Sequence, residues 1–170
     1  MGKLKQILEL IEDSSVFKNW KDNHNTSYLC AFFRTVGNTD NPEWQVHYYQ
    51  PENDTISVFS VGNEVKIVEE DSEILKNKED KVKELNLDEV KIDFIHALEI
   101  TDQIDKKYSN ETITKRIVIL QKLNKIVWNV TYMTGAFNLL NVKVDAATGE
   151  VIEESKTSLL KKSEGILHKE

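Results

Sequence analysis

A single cysteine, Cys30, stands in the 170 residues, so no intrachain disulfide can form. It lies in an apolar run between Leu29 and Ala31, where a small buried hydrophobe is expected, and no basic side chain nearby marks it as a nucleophile. Basic excess is also lacking. The net charge is -7, and no basic stripe interleaved with aromatics appears, which argues against a nucleic-acid backbone or an anionic membrane as partner. No apolar run reaches the length of a membrane span, so no membrane insertion is expected. The first residues lack the apolar core of a signal peptide. Read as given, the chain is expected to be cytoplasmic, and extracytoplasmic if an export signal or anchor has been removed.

Catalytic signatures are missing too. There is no P-loop, no Gly-x-Gly-x-x-Gly and no Gly-x-Ser-x-Gly. His24, His47, His96 and His168 are scattered without a metal-pair spacing, and the acidic runs around Glu69–Glu73 and Glu150–Glu154 lack the calcium-loop pattern. We therefore expect no enzyme activity, no cofactor and no metal.

What is present is internal similarity. Trp44-Gln-Val-His-Tyr48 and Trp128-Asn-Val-Thr-Tyr132 share a pattern 84 residues apart, and seven of the 32 positions from Trp44 to Leu75 are identical without a gap. Average residue usage gives roughly two by chance. The repeat predicts one structural unit used twice. Either half alone would bury too little surface to be comfortably stable.

Each half reads as helix followed by strands. Leu4, Ile7, Leu8 and Ile11 recur at helical spacing. Asp13-Ser14-Ser15 interrupts that pattern, and Val16, Phe17 and Trp20 extend its apolar stripe. The run from Ser27 to Val36 is apolar on both parities, as in a strand covered on both faces. Turn residues fill Gly37–Pro42. Trp44, Val46 and Tyr48 then alternate with Gln45, His47 and Tyr49, and strands follow at Thr55–Val61 and Val65–Val68. The charged stretch Glu69–Asn86 reads as a linker. A helix capped by Asp93 is expected to end near Tyr108, with a break at Ser109-Asn110. Strands over Thr112–Leu123, Ile126–Met133, Asn138–Asp145 and Glu150–Glu154 come next, the last two joined by the Asp145–Gly149 turn. The tail from Lys156 is expected to fray after a short helical or extended stretch.

In the second half, Ile92-Asp93 before a helix, Ala97-Leu98 within it, and Val144-Asp145-Ala146-Ala147-Thr148-Gly149-Glu150-Val151 at the end resemble a PepSY domain. The resemblance spans Ile92 to Ile152 and reaches the first half only through the repeat. It implies a cystatin-like α+β fold: two tandem units, each a helix on a three- to four-stranded antiparallel sheet. The expected organisation is a degenerate first unit at 1–76, a charged linker at 77–91 and a second unit at 92–170. The family is associated with peptidase inhibition or regulation, so the resemblance implies a binding or regulatory protein with a peptide or protein partner.

Trp44 and Trp128 match across the repeat and are expected in the core. Aromatics that differ between the halves are the candidate binding residues: Phe17, Trp20, Phe32 and Phe33, with His47 and Tyr49 beside them. The alternative function is a small-molecule carrier or enzyme with its pocket on a concave sheet face around His47, Tyr48, Tyr49 and Tyr132. A purely structural scaffold is the third.

Overall fold

A computed structural model describes residues 2–37, 43–74, 81–105 and 111–159. The expected turn at 38–42, the break at 109–110 and the tail from 160 lie outside them, as does Leu75. In chain order the elements are helices α1 (Gly2–Asp13) and α2 (Ser15–Asn23), then strands β1 (Tyr28–Gly37), β2 (Trp44–Gln50), β3 (Thr55–Val61) and β4 (Val65–Glu73). A single 3-10 turn at Leu87–Glu89 precedes helix α3 (Phe94–Asp105). Strands β5 (Ile113–Lys122), β6 (Ile126–Thr134), β7 (Asn138–Asp145) and β8 (Val151–Ser158) follow.

The expectation of two helix-on-sheet repeats is overturned. The eight strands among the described residues form one antiparallel sheet in the order β4-β3-β2-β1-β5-β6-β7-β8. β1 pairs with β5 from Ala31↔Gln121 to Gly37↔Lys115. The physical reason is the edge. Two separate sheets would each leave an inner strand with unpaired amides and carbonyls, and joining them satisfies both rows. The both-parity apolarity of β1 has a counterpart on each face: Phe32 joins the helix-side core, while Cys30 and Ala31 belong to a second cluster on which Ile74 and Val82 pack.

The helices cover one face. Leu4, Ile7 and Ile11 of α1, Phe17 and Trp20 of α2, and Ala97 of α3 share a core with Phe32, Val46, Phe59, Leu120, Trp128, Val130 and Val142 from the strands. The Asp13-Ser14 interruption is a helix boundary. Ser14 caps α2, its hydroxyl accepting from the Phe17 amide at 3.1 Å, so the chain turns without losing its apolar stripe. Trp44 and Trp128 both face the helices, and the Phe94 ring lies between them, with centroids 5.0 and 6.0 Å away. The Trp128 indole donates to the Ile92 carbonyl at 2.8 Å and so fixes the chain entering α3.

The charged stretch after Val68 is more structured than its composition implies. β4 runs on to Glu73. Further along, Leu85, Leu87 and Val90 are buried in the main core, and the Leu85 amide donates to the Leu29 carbonyl at 2.8 Å. The Asp145–Gly149 turn is tight for two reasons. Asp145 accepts from the Ala147 and Thr148 amides at 2.8 and 3.2 Å, and Gly149 takes a φ of 80°.

At the far end of the second half, one carboxylate ties three strands. Glu111 accepts from Thr134 Oγ1 at 2.6 Å, Asn138 Nδ2 at 2.9 Å and Lys156 Nζ at 2.8 Å. Those bonds, Lys156 first and then Thr134 and Asn138, bring its pKa down to about 2 from 4.5. Because the folded pKa is depressed, the stabilisation is full above about pH 4.5 and disappears as pH falls toward 2. Stability measured by chemical denaturation from pH 5 to 2 should therefore fall less steeply in Glu111→Gln than in the parent. Parallel profiles would remove this role from Glu111.

Candidate ligand-binding cleft

Strand alternation divides the six residues singled out from the sequence. Phe17, Trp20 and Phe32 lie on the helix side and are buried. Phe17 packs at 4.9 Å from the Tyr48 ring and 5.3 Å from Phe59, while Trp20 donates to Ser57 Oγ at 3.2 Å. Phe33, His47 and Tyr49 lie on the opposite face. Phe33 and His47 stack with centroids 6.1 Å apart, and His47 Nε2 is buried with no hydrogen-bond partner. Burial brings the His47 pKa down to about 4, so the ring is neutral at ordinary pH. Tyr49 donates to Asp54 Oδ1 at 2.7 Å, and this bond above all pushes its pKa up to about 12. Part of that face is occupied by the chain itself, since Ile74 and Val82 pack on the Cys30, Ala31 and Tyr49 cluster.

The pocket expected around His47, Tyr48, Tyr49 and Tyr132 is not assembled. Tyr48 and Tyr132 point to the helix side, away from His47 and Tyr49. Tyr132 is wholly buried against α3, bonding Thr101 Oγ1 at 2.7 Å and Asp102 Oδ1 at 2.9 Å. Cys30 is also closed to chemistry. Burial pushes its thiol up to about 12, and it donates to the His47 carbonyl at 3.3 Å. Among the described residues no group of His, Cys, Asp and Glu is arranged to hold a metal ion.

A concavity of ligand size lies on the helix side. It measures about 800 Å³ and runs between α1 and the segment Glu84–Glu89. α1 lends its Lys5, Leu8, Glu9 and Glu12 side to one wall. Phe17, Leu29, Tyr48 and Leu85 form an apolar and aromatic floor, and Lys122 closes one end. Apolar floor and polar rim are the usual make-up of a ligand site.

The rim is electrostatically lopsided. Five carboxylates face three lysines, and each lysine is already engaged. Lys5 pairs with Asp88 at 2.6 Å, and Lys122 with Glu89 at 3.6 Å. Lys21 donates to the Ser27 carbonyl and hydroxyl at 2.7 and 2.8 Å. Glu12 accepts from the Tyr48 hydroxyl at 3.0 Å, which helps raise the Tyr48 pKa, burial being the larger cause. Glu9 and Glu84 make no hydrogen bond or ion pair among the described residues. The cleft was hidden in the sequence because its two walls are brought together by contacts such as Lys5–Asp88, 83 residues apart. The one visible hint was the sparse apolar spacing of Leu85, Leu87 and Val90 within a charged stretch.

No family model matches the chain, so the PepSY resemblance and the tandem cystatin-like units implied by it gain no support. No curated protein matches either. Among solved structures, the chain is similar to a "putative lipoprotein" from Clostridium difficile 630, with a TM-score of 0.53 and 15% identity over 82% of this chain and 89% of that one. That likeness is one of fold alone. Among the described residues, no helix is long and apolar enough to cross a membrane.

Proposed function

We propose that the chain is a non-catalytic binding module whose site is the cleft between α1 and the Glu84–Glu89 segment. Its ligand is an extended peptide that places an apolar side chain on the Phe17–Tyr48 floor and a basic one at the rim. The observation carrying this reading is the pairing pattern. The lysines of the cleft are engaged, whereas Glu9 and Glu84 are free to meet a cation. An aromatic floor adds a surface on which a cationic stem can lie.

Charge complementarity at the rim is expected to select the partner more than to add affinity.

Capped Leu-Lys-Leu and Leu-Glu-Leu peptides, titrated into labelled protein by NMR, test the reading. The lysine peptide should shift Leu8, Tyr48 and Leu85, and the glutamate peptide should bind several-fold more weakly. Glu9→Gln and Glu84→Gln should each cost about 0.2–1 kcal/mol of that binding, as exposed charge pairs do. Equal binding of both peptides would refute the charge assignment, and unmoved cleft resonances would refute the site.

A further inference from the structure

His24 occupies the C-cap of α2, and both of its ring nitrogens face acceptors. Nδ1 lies 2.8 Å from the Trp20 carbonyl. Nε2 lies 3.1 and 3.2 Å from the two carboxylate oxygens of Asp71 on β4. A neutral imidazole has one donor and one lone pair, so it would leave a lone pair pointing at an acceptor. Only the doubly protonated ring satisfies both contacts. His24 is buried and its ring stacks on Trp20 with centroids 4.5 Å apart, so water does not readily replace the Trp20 carbonyl, whereas the Asp71 side chain is 43% exposed.

Asp71 is placed by an unusual backbone. Ile56 pairs with Ser72 and Val58 with Glu69, so Glu70 and Asp71 both stand opposite Ser57. This bulge puts Asp71 at a φ of 50°, a left-handed conformation disfavoured for a residue with a Cβ. Ser57 Oγ accepts from the Asp71 amide and from the Trp20 indole, both at 3.2 Å. Thr55 Oγ1 adds a bond to Asp71 Oδ1 at 3.3 Å. The imidazole therefore joins helix α2 to edge strand β4, and strand β3 supports both partners through Ser57 and Thr55.

We propose that His24 and Asp71 form a proton-operated latch that clamps the C-terminal end of α2 to the bulge of edge strand β4, and that opens when the ring loses a proton. The charged groups around it are few. β4 presents Asp71 and Glu70, both favouring the imidazolium. β3 presents the neutral Thr55 and Ser57. Lys21 of α2 is turned to Ser27. Burial disfavours the charged ring, but the Trp20 carbonyl and the two acids outweigh it, and the pKa is raised above 6.5. With a raised folded pKa, the latch is fully closed below about pH 6.5 and is lost as pH rises through the folded value.

The test uses the whole chain. Ring nitrogen NMR from pH 5 to 9 reads the protonation of His24, and amide hydrogen exchange reads the protection of Glu69–Glu73. His24 should titrate above 6.5. Protection of Glu69–Glu73 should fall across that titration, beyond the intrinsic pH effect, by up to about tenfold per unit of raised pKa. Asp71→Asn should lower the His24 pKa and abolish the step. Titration at or below 6.5, protection unchanged across it, or a step persisting in Asp71→Asn would each overturn the latch. The parent and Asp71→Asn suffice even if His24→Gln does not fold.

α2 also carries Phe17 and Lys21 into the cleft, so an open latch would alter the cleft floor. That consequence rests on the binding reading, whereas the exchange experiment tests the latch without any ligand.

Discussion

Trp128→Ala should cost about 3–5 kcal/mol of folding stability, the range for large aromatics truncated in a core. Trp128 is fully buried and stands on β6 between Leu120 of β5 and Val144 of β7. Its ring meets Phe94 at the start of α3, so truncation leaves a void where helix and sheet meet. The lost indole also abandons the Ile92 carbonyl, adding the cost of an unsatisfied acceptor. Urea denaturation should show a lower midpoint with an unchanged slope. Trp128→Phe separates the two contributions, because it keeps most of the packing and loses the hydrogen bond at about 1 kcal/mol. A loss below about 1 kcal/mol in Trp128→Ala would mean that the helix–sheet contact does not depend on this ring.

The individual strands and helices were legible because they are written in local periodicity, whereas their assembly was not. Alternation at Trp44–Tyr49 and Trp128–Met133 assigned faces correctly, since a strand sends successive side chains to opposite sides. Asp145 and Gly149 announced a turn through their own chemistry. What local patterns do not carry is which strands meet across the chain. The pairing of Ala31–Gly37 with Lys115–Gln121 joins segments far apart in sequence, and it turns an expected pair of units into one sheet. The apolar both-parity run of β1 reports cover on both faces of that strand, and it does not say which strand lies beside it.

The candidate site was less legible for a related reason. Aromatic content pointed to Phe17, Trp20 and Phe32, yet these serve chiefly as core. Of the six candidates only Phe17 reaches the cleft, and its neighbours there are carboxylates and leucines of α1 and of a stretch that composition marked as linker. Averaged over 69–86, charge conceals Leu85, and with Leu87 and Val90 just beyond it these are the residues that bring the second wall of the cleft into place.

Phe32→Ala tests the joined sheet and should also cost about 3–5 kcal/mol. Phe32 is fully buried at the middle of β1, paired with Val46 of β2 on one side and with Leu120 of β5 on the other. Its ring also meets Trp44 edge-on at 6.1 Å. Truncation therefore weakens the packing of both halves from one position. If the sheet is one cooperative unit, the loss appears equally wherever it is measured. Chain-wide hydrogen exchange provides both probes: Val46 and Phe59 amides report the first half, Val130 and Val142 amides the second. All four should lose the same free energy in Phe32→Ala, because each exchanges through the same global opening. Destabilisation confined to Val46 and Phe59 would show that β5–β8 holds together without β1. The seam would then be a contact between separately stable halves. The uninterrupted β1–β5 pairing predicts the common loss, since opening either half exposes the unpaired edge of the other.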